Sequence, residues 1–233
     1  MLSESVKAYK DNSLSHEEQP IITSIENVRS EMLQSTDTIP KTEFGAGSIV
    51  LKHQNVATEL VRNVCRTSSK PKKSCLLLYH LIRTLKPKYA IELGTCLGIS
   101  IAYQAAALKH HESGKIISFE GSEGRAKIAE ENLNKLSLQD RAKVIQGRFE
   151  DNLENQLNKF DFIDYAFIDG HHEEEATIKY FNELLPHFKK GGIMVFDDIF
   201  WSKGMNRAWK RIKNSGKFEI TLEYKGMGLA IIS

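Results

Sequence analysis

Residues Tyr89–Ser100 read Y-A-I-E-L-G-T-C-L-G-I-S, an apolar run that meets the acid Glu92 and turns through Gly94 and Gly98 into a helix start. The pattern predicts a strand, a tight turn and a helix. A helix start carries unpaired N–H groups and the positive end of the macrodipole, so a glycine-lined turn there admits a carboxylate or phosphate close to the backbone. The dinucleotide fingerprint G-x-G-x-x-G needs a glycine two residues after the first, and Cys96 stands in that place, which weakens a pyrophosphate reading.

One helix later a second strand, Lys115–Glu120 (K-I-I-S-F-E), ends on an acid. A carboxylate at such a strand end can accept hydrogen bonds from both hydroxyls of a ribose. The two stretches together provide for a charged ligand head and for a sugar.

The run E-L-G-T-C-L-G-I-S, with Glu120 closing the next strand, resembles the S-adenosylmethionine (SAM) site of class I methyltransferases, most closely the catechol and caffeoyl-CoA O-methyltransferase-like branch. The resemblance extends over roughly Pro71 to Ser233. It implies a Rossmann-like, doubly wound α/β sheet, mostly parallel, with a C-terminal antiparallel hairpin. It also implies cofactor contacts at Glu92, Gly94, Thr95, Gly98, Ser100, Glu120, Gly121, Arg148, Phe149 and Asp169. Ser100 is expected on the methionyl carboxylate and Glu120 on the ribose, with Arg148 and Phe149 along the adenine.

The composition is ordinary globular material. A chain of 233 residues, 41% hydrophobic and 27% charged, suffices for one sizeable α/β core with a helical extension. A net charge of +2, from 32 basic and 30 acidic residues, gives no general field to attract nucleic acid. The local cluster of Lys70, Lys72 and Lys73 is expected to be a solvated loop. Three cysteines, Cys65, Cys75 and Cys96, without C-x-x-C spacing, fit neither a disulfide framework nor a zinc knuckle, and point to a reducing cytoplasm. The N-terminus has no apolar leader-like run, and no segment is long enough to span a bilayer, so a soluble protein away from membranes is expected.

In chain order, Met1–Gln19 is polar and is expected to form at most a frayed helix. Ile21, Ile25, Val28 and Met32 then fall on one helical face ended by Pro40, and Thr42–Gly47 reads as a loop. Val56, Leu60, Val61 and Val64 form a second stripe, and Leu77, Leu81 and Leu85 a third that stops at Pro87. Residues 1–70 are thus read as a helical extension and 71–233 as the methyltransferase domain. The first stripe needs cover, which makes its helix the candidate for a homodimer contact or a lid over an acceptor pocket. Later strands are expected at Ala142–Gln146, Phe160–Asp169 and Ile193–Phe196, and Phe218–Glu223 with Gly228–Ile232 reads as the hairpin.

SAM carries an already electrophilic methyl group, so the remaining tasks are to align a nucleophile and remove its proton. Asp169, Asp197 and Asp198 end two strands at one sheet edge, and hard oxygen ligands of this kind suit Mg²⁺ or another divalent cation. Where the resembled family has an Asp-Asn pair, this chain has Asp197-Asp198. Its general-base lysine corresponds to His172, beside His171, and histidine takes a proton near neutral pH without a large shift. Two arrangements therefore stand open: a metal held by the three aspartates, or proton removal by His171 or His172 without one. Three functions are carried forward: O-methylation of a small hydroxylated, aromatic acceptor; methylation of RNA on the same fold; and a silent SAM-binding or oligomeric interaction protein. Phe200, Trp201 and Tyr103 are candidate walls of an acceptor pocket.

Overall fold

The computed structural model describes residues 2–11, 14–41 and 58–233. The loop expected at Thr42–Gly47, and Val56 of the second stripe, lie outside the described residues. Helices α1 (Leu2–Lys10) and α2 (Gln19–Gln34) come first, followed by the short antiparallel pair β1 (Thr38–Pro40) and β2 (Thr58–Leu60). Helices α3 (Val61–Ser68) and α4 (Lys72–Leu85) then lead into the sheet. The alternating units are β3 (Tyr89–Leu93), α5 (Ile99–Leu108), β4 (Lys115–Glu120), α6 (Glu123–Lys135), β5 (Ala142–Gln146), α7 (Phe149–Leu157), β6 (Ile163–Ile168), α8 (Glu174–Leu184), β7 (Phe188–Phe196) and α9 (Lys203–Lys213). The hairpin β8 (Phe218–Tyr224) and β9 (Met227–Ile232) closes the chain.

Seven strands lie in the order β5-β4-β3-β6-β7-β9-β8. The first five pair in parallel, while β9 is antiparallel to both β7 and β8, so β9 alone in this sheet runs against the rest. This is the doubly wound sheet with a C-terminal antiparallel hairpin that the sequence predicts. Its order reverses direction at β3 and β6, and ligands bind outside the carboxyl ends of strands at such a switch point. Every residue of β6 and β9 is buried, as expected of strands covered on both faces.

Several boundaries differ from the sequence reading. β7 begins at Phe188 rather than Ile193: Gly191, at φ 80°, lies within the strand, where the pairing with β6 shifts register. Helix α7 was not expected, because Phe149, Leu153 and Leu157 form a three-residue stripe hidden among acids and amides. The N-terminal segment is no frayed tail, since α1 buries Leu2 and Ser5 and sets Tyr9 edge-on against Tyr224, with ring centroids 5.9 Å apart.

The stripe of α2 is buried within its own chain. Ile22, Ile25, Val28 and Met32 belong to the same apolar cluster as Val64 of α3, Leu77 of α4 and Tyr103 of α5; Ile22 rather than Ile21 carries the first contact. The need for outside cover, which motivated a dimer or lid role for this helix, is thereby removed. The division at residue 70 also separates no second core. Glu18, 1% exposed at the start of α2, accepts from Tyr79 Oη at 2.7 Å and pairs with Arg83 at 2.9 Å, fastening the extension to α4.

Candidate functional site

The carboxyl ends of β3, β4, β6 and β7 converge. The β3–α5 turn depends on two glycines. A Cβ on Gly94 (φ 108°) would collide with the carbonyl group of Asp169, and one on Gly98 (φ 85°) would lie 2.9 Å from Ala129 Cα. Gly98 is also the N-cap of α5, and no side chain caps that helix, so the first-turn N–H groups remain for a ligand. Cys96, where the dinucleotide fingerprint has glycine, adopts φ 50°, and its N–H donates to Glu120 Oε2 at 2.8 Å. Ser122 N donates to Glu120 Oε1 at 2.9 Å. Glu120 thus ties the first turn to the second, with one lone pair of each oxygen left over for a ligand's hydroxyls. Burial raises its pKa, against the pull of the two N–H donors and the Arg125 guanidinium. Arg125 is itself held by Glu59 of β2 at 2.6 Å, so the short sheet that sequence reading missed buttresses Glu120.

Three expected cofactor contacts sit beneath this cleft. Glu92 is fully buried and accepts from Ser118 Oγ at 2.6 Å and Gln104 Nε2 at 2.8 Å. Its third partner is the Ser100 hydroxyl, which therefore faces the sheet. Thr95 Oγ1 lies 2.5 Å from Ser118 Oγ in the same network. Glu92, Thr95 and the Ser100 side chain are the floor of the turn rather than its lining; the alternating pleat of β3 turns Glu92 away from the cleft. Burial raises the Glu92 carboxyl to about 7.

The histidine pair divides. His171 (φ 63°) places Nδ1 2.6 Å from Tyr180 Oη, which donates to Glu150 Oε1 at 3.1 Å. With the tyrosine proton engaged on Glu150, His171 must donate from Nδ1. Its ring packs edge-on against Phe149, with centroids 5.8 Å apart, while Arg148 is the N-cap of α7 beside it. Gly121 follows Glu120 on the same rim. His172 (φ 47°) turns the other way: Nε2 lies 3.5 Å from Asp169 Oδ1 and 4.0 Å from Asp198 Oδ2.

Asp169, Asp197 and Asp198 are brought together as expected, but a fourth residue joins them. Lys70 Nζ pairs directly with Asp197 Oδ2 and lies 3.4 Å from Asp169 Oδ1 and 3.8 Å from Asp198 Oδ2. Lys70 is not a solvated loop residue: its side chain is 12% exposed. Nothing in S-S-K-P-K-K distinguishes one lysine from its neighbours, and the nearest available signal is that three carboxylates at one sheet edge require a counter-charge. Asp169, Asp198 and His172 each offer one ligand atom, all within 4.8 Å of one another, a spacing that suits a metal ion, whereas Asp197 falls outside that group. The ammonium is directed at those same two carboxylates, so a divalent ion does not fit this set with Lys70 in place. Burial raises the Asp169 pKa, opposed first by Lys70 and then by His172.

Residues 91–199 match a family described as a methyltransferase domain. That match, over just under half of the chain, likens the segment to a methyltransferase domain. The chain is 27% identical over 124 residues to the caffeoyl-CoA O-methyltransferase of Populus kitakamiensis, covering 52% of this chain and 51% of that protein. It is 25% identical over 154 residues to the catechol O-methyltransferase of Sus scrofa, covering 63% and 81%. The chain thus spans about half the length of the plant relatives it matches. Among solved structures, the O-methyltransferase from Bacillus cereus in complex with SAH aligns over 73% of this chain and 85% of that one, at TM-score 0.63 and 22% identity. TomG from Streptomyces achromogenes, in complex with SAM, aligns over 71% and 82% at TM-score 0.62 and 20% identity. These likenesses establish the fold.

Of the proposed acceptor-pocket walls, Tyr103 is excluded. It is fully buried and donates to Glu26 Oε1 at 2.8 Å. Phe200 and Trp201 are more than half exposed and follow directly on Asp197-Asp198. Among the described residues, no helix is long and apolar enough to cross a membrane.

Proposed function

We propose that this methyltransferase domain transfers a methyl group from SAM to a hydroxyl of a small, aromatic acceptor. One observation carries the reading: the glycine turn and N-terminus of α5, the Glu120 carboxylate, and the Asp169–His172 pair all open at one edge of the sheet. The cleft fits the cofactor, because Gly94 and Gly98 let the turn pack against Asp169 and Ala129 while the α5 N-terminus stays uncapped by any side chain, and Glu120 keeps acceptor lone pairs beside it. Bound there, SAM supplies an activated methyl group. The α5 N-terminus would receive a carboxylate, Glu120 the ribose hydroxyls, and Phe149 with His171 the adenine edge.

His172 is the proposed base. Its Nε2 can accept the acceptor's hydroxyl proton, and Asp169 at 3.5 Å stabilises the resulting imidazolium. Phe200 and Trp201 offer exposed ring faces beside the acids for an aromatic acceptor. An RNA substrate has weaker support, because Lys70 is spent on carboxylates rather than displayed to phosphates.

Calorimetry with S-adenosylhomocysteine and with NAD, followed by transfer of labelled methyl to a panel of phenols and catechols, tests the reading. Binding of S-adenosylhomocysteine and labelling of a phenol are expected. NAD binding without S-adenosylhomocysteine binding would reject it.

A further inference from the structure

We infer that the Lys70 ammonium takes the place of a divalent cation in the aspartate cluster, so that this site works with an internal, covalently tethered cation. The inference rests on the methyltransferase reading for the cluster's role, and on geometry for its occupant.

Three observations carry it. First, Nζ reaches all three carboxylates, pairing with Asp197 and approaching Asp169 Oδ1 and Asp198 Oδ2 to 3.4 and 3.8 Å. Asp169 and Asp198, with His172, are the residues whose ligand atoms have a spacing that would suit a metal, and His172 Nε2 approaches the same two oxygens from its own side. A metal bound by them would sit within a few ångströms of a positive charge, and at that separation like charges repel strongly even under protein screening. Second, Asp197 is 3% exposed and Lys70 stands against its carboxylate. Moving the lysine aside to admit a metal would strip a buried acid of its counter-charge. Third, Lys70 is held at the backbone: Pro71 follows it at φ −59°, and the buried Cys75 thiol donates to the Lys70 carbonyl at 3.5 Å. The ammonium arrives from the α3–α4 link, outside the strand ends that supply the acids, so the second half of the site comes from the extension.

An ammonium there can do part of what a metal would. It neutralises one carboxylate charge, holds the three acids together, and presents N–H donors toward the oxygen that loses its proton to His172. It leaves that oxygen's proton to the histidine, since it has no coordination site at which to ionise it.

The test is cation binding, read separately from activity. Mn²⁺ is titrated by electron paramagnetic resonance, and Mg²⁺ by calorimetry, into the wild-type chain and into Lys70→Ala, Lys70→Met and Lys70→Arg. S-adenosylhomocysteine binding serves in each case as the check of folding. The wild type and Lys70→Arg are expected to bind neither cation at millimolar concentration. Lys70→Ala and Lys70→Met are expected to bind Mn²⁺ at least about 100-fold more tightly, having lost a like charge about 4 Å away. Stoichiometric Mn²⁺ binding by the wild type overturns the inference. So does failure of both neutral variants, still folded, to gain any. If S-adenosylhomocysteine binding fails in the wild type, the methyltransferase reading falls while the cation titrations still decide the role of Lys70.

Discussion

Gly94 and Asp169 meet backbone to backbone: a Cβ on Gly94 would stand 2.9 Å from the Asp169 carbonyl carbon and closer still to its oxygen. The Asp169 N–H, for its part, donates to Leu93 O at 2.8 Å. The turn proposed to receive the cofactor head and the strand end that carries Asp169 are therefore one rigid unit. Gly94→Ala should destabilise the protein by roughly 3–5 kcal/mol, from the clash and from a φ of 108° that side-chain-bearing residues avoid. Chemical denaturation measures it, and a loss below about 1 kcal/mol would show the two segments free to part.

Glu120 ties two turns of the chain together, and the proposed function gives it a second duty toward the ligand. Glu120→Ala should weaken S-adenosylhomocysteine binding by roughly 1–3 kcal/mol, because ligand hydroxyls lose their acceptors. It should also lower the melting temperature without ligand, because Cys96 N and Ser122 N lose theirs. Calorimetry and thermal melts read the two effects independently; unchanged affinity would remove Glu120 from the ribose site.

Glu92 makes stability depend on pH. Its folded pKa, about 7, exceeds the 4.5 of a free glutamate. Between those values the folded chain retains a proton that the unfolded chain has released, so stability falls as pH rises from about 4.5 to about 7 and is level above. The full effect amounts to about 3 kcal/mol. Glu92→Gln, which stays neutral, should lose this slope and gain on the wild type as pH climbs. Parallel pH dependences of the two melting curves would count against a neutral Glu92.

The divided histidines should behave differently. His172→Ala should reduce single-turnover transfer by about 10²–10⁴-fold, the range of a general base. His171→Ala should act chiefly on S-adenosylhomocysteine affinity, since its Nδ1 is held by Tyr180 and its ring lies on Phe149. Stopped transfer in His171→Ala with intact binding would reverse the assignment.

Removing residues through Pro40 should unfold or strongly destabilise the domain rather than simply change its oligomeric state. The deletion uncovers Val64, Leu77 and Tyr103 and strands the Tyr79 hydroxyl that donates to Glu18. Within the intact chain, Ile25→Ala should cost about 2–5 kcal/mol, because Ile25 is fully buried. Denaturation combined with light scattering would show whether a folded, altered oligomer appears instead.

Much of this was written in local patterns. The strand, glycine turn and helix of Tyr89–Ser100, the acid ending β4 and the aspartates ending β6 and β7 depend on neighbours in sequence, and these determined the fold and the edge at which chemistry belongs. The tertiary structure decided what depends on distant partners. Whether Glu92 lines the cleft or underlies it turned on Ser118 and Gln104, and which histidine faces the acids turned on Tyr180. Whether the α2 stripe needs a partner turned on α3, α4 and α5. Above all, a lysine in a polar loop became the counter-charge of acids about a hundred residues or more away, because a long flexible side chain bears no periodicity and its address is set by the field it finds on folding.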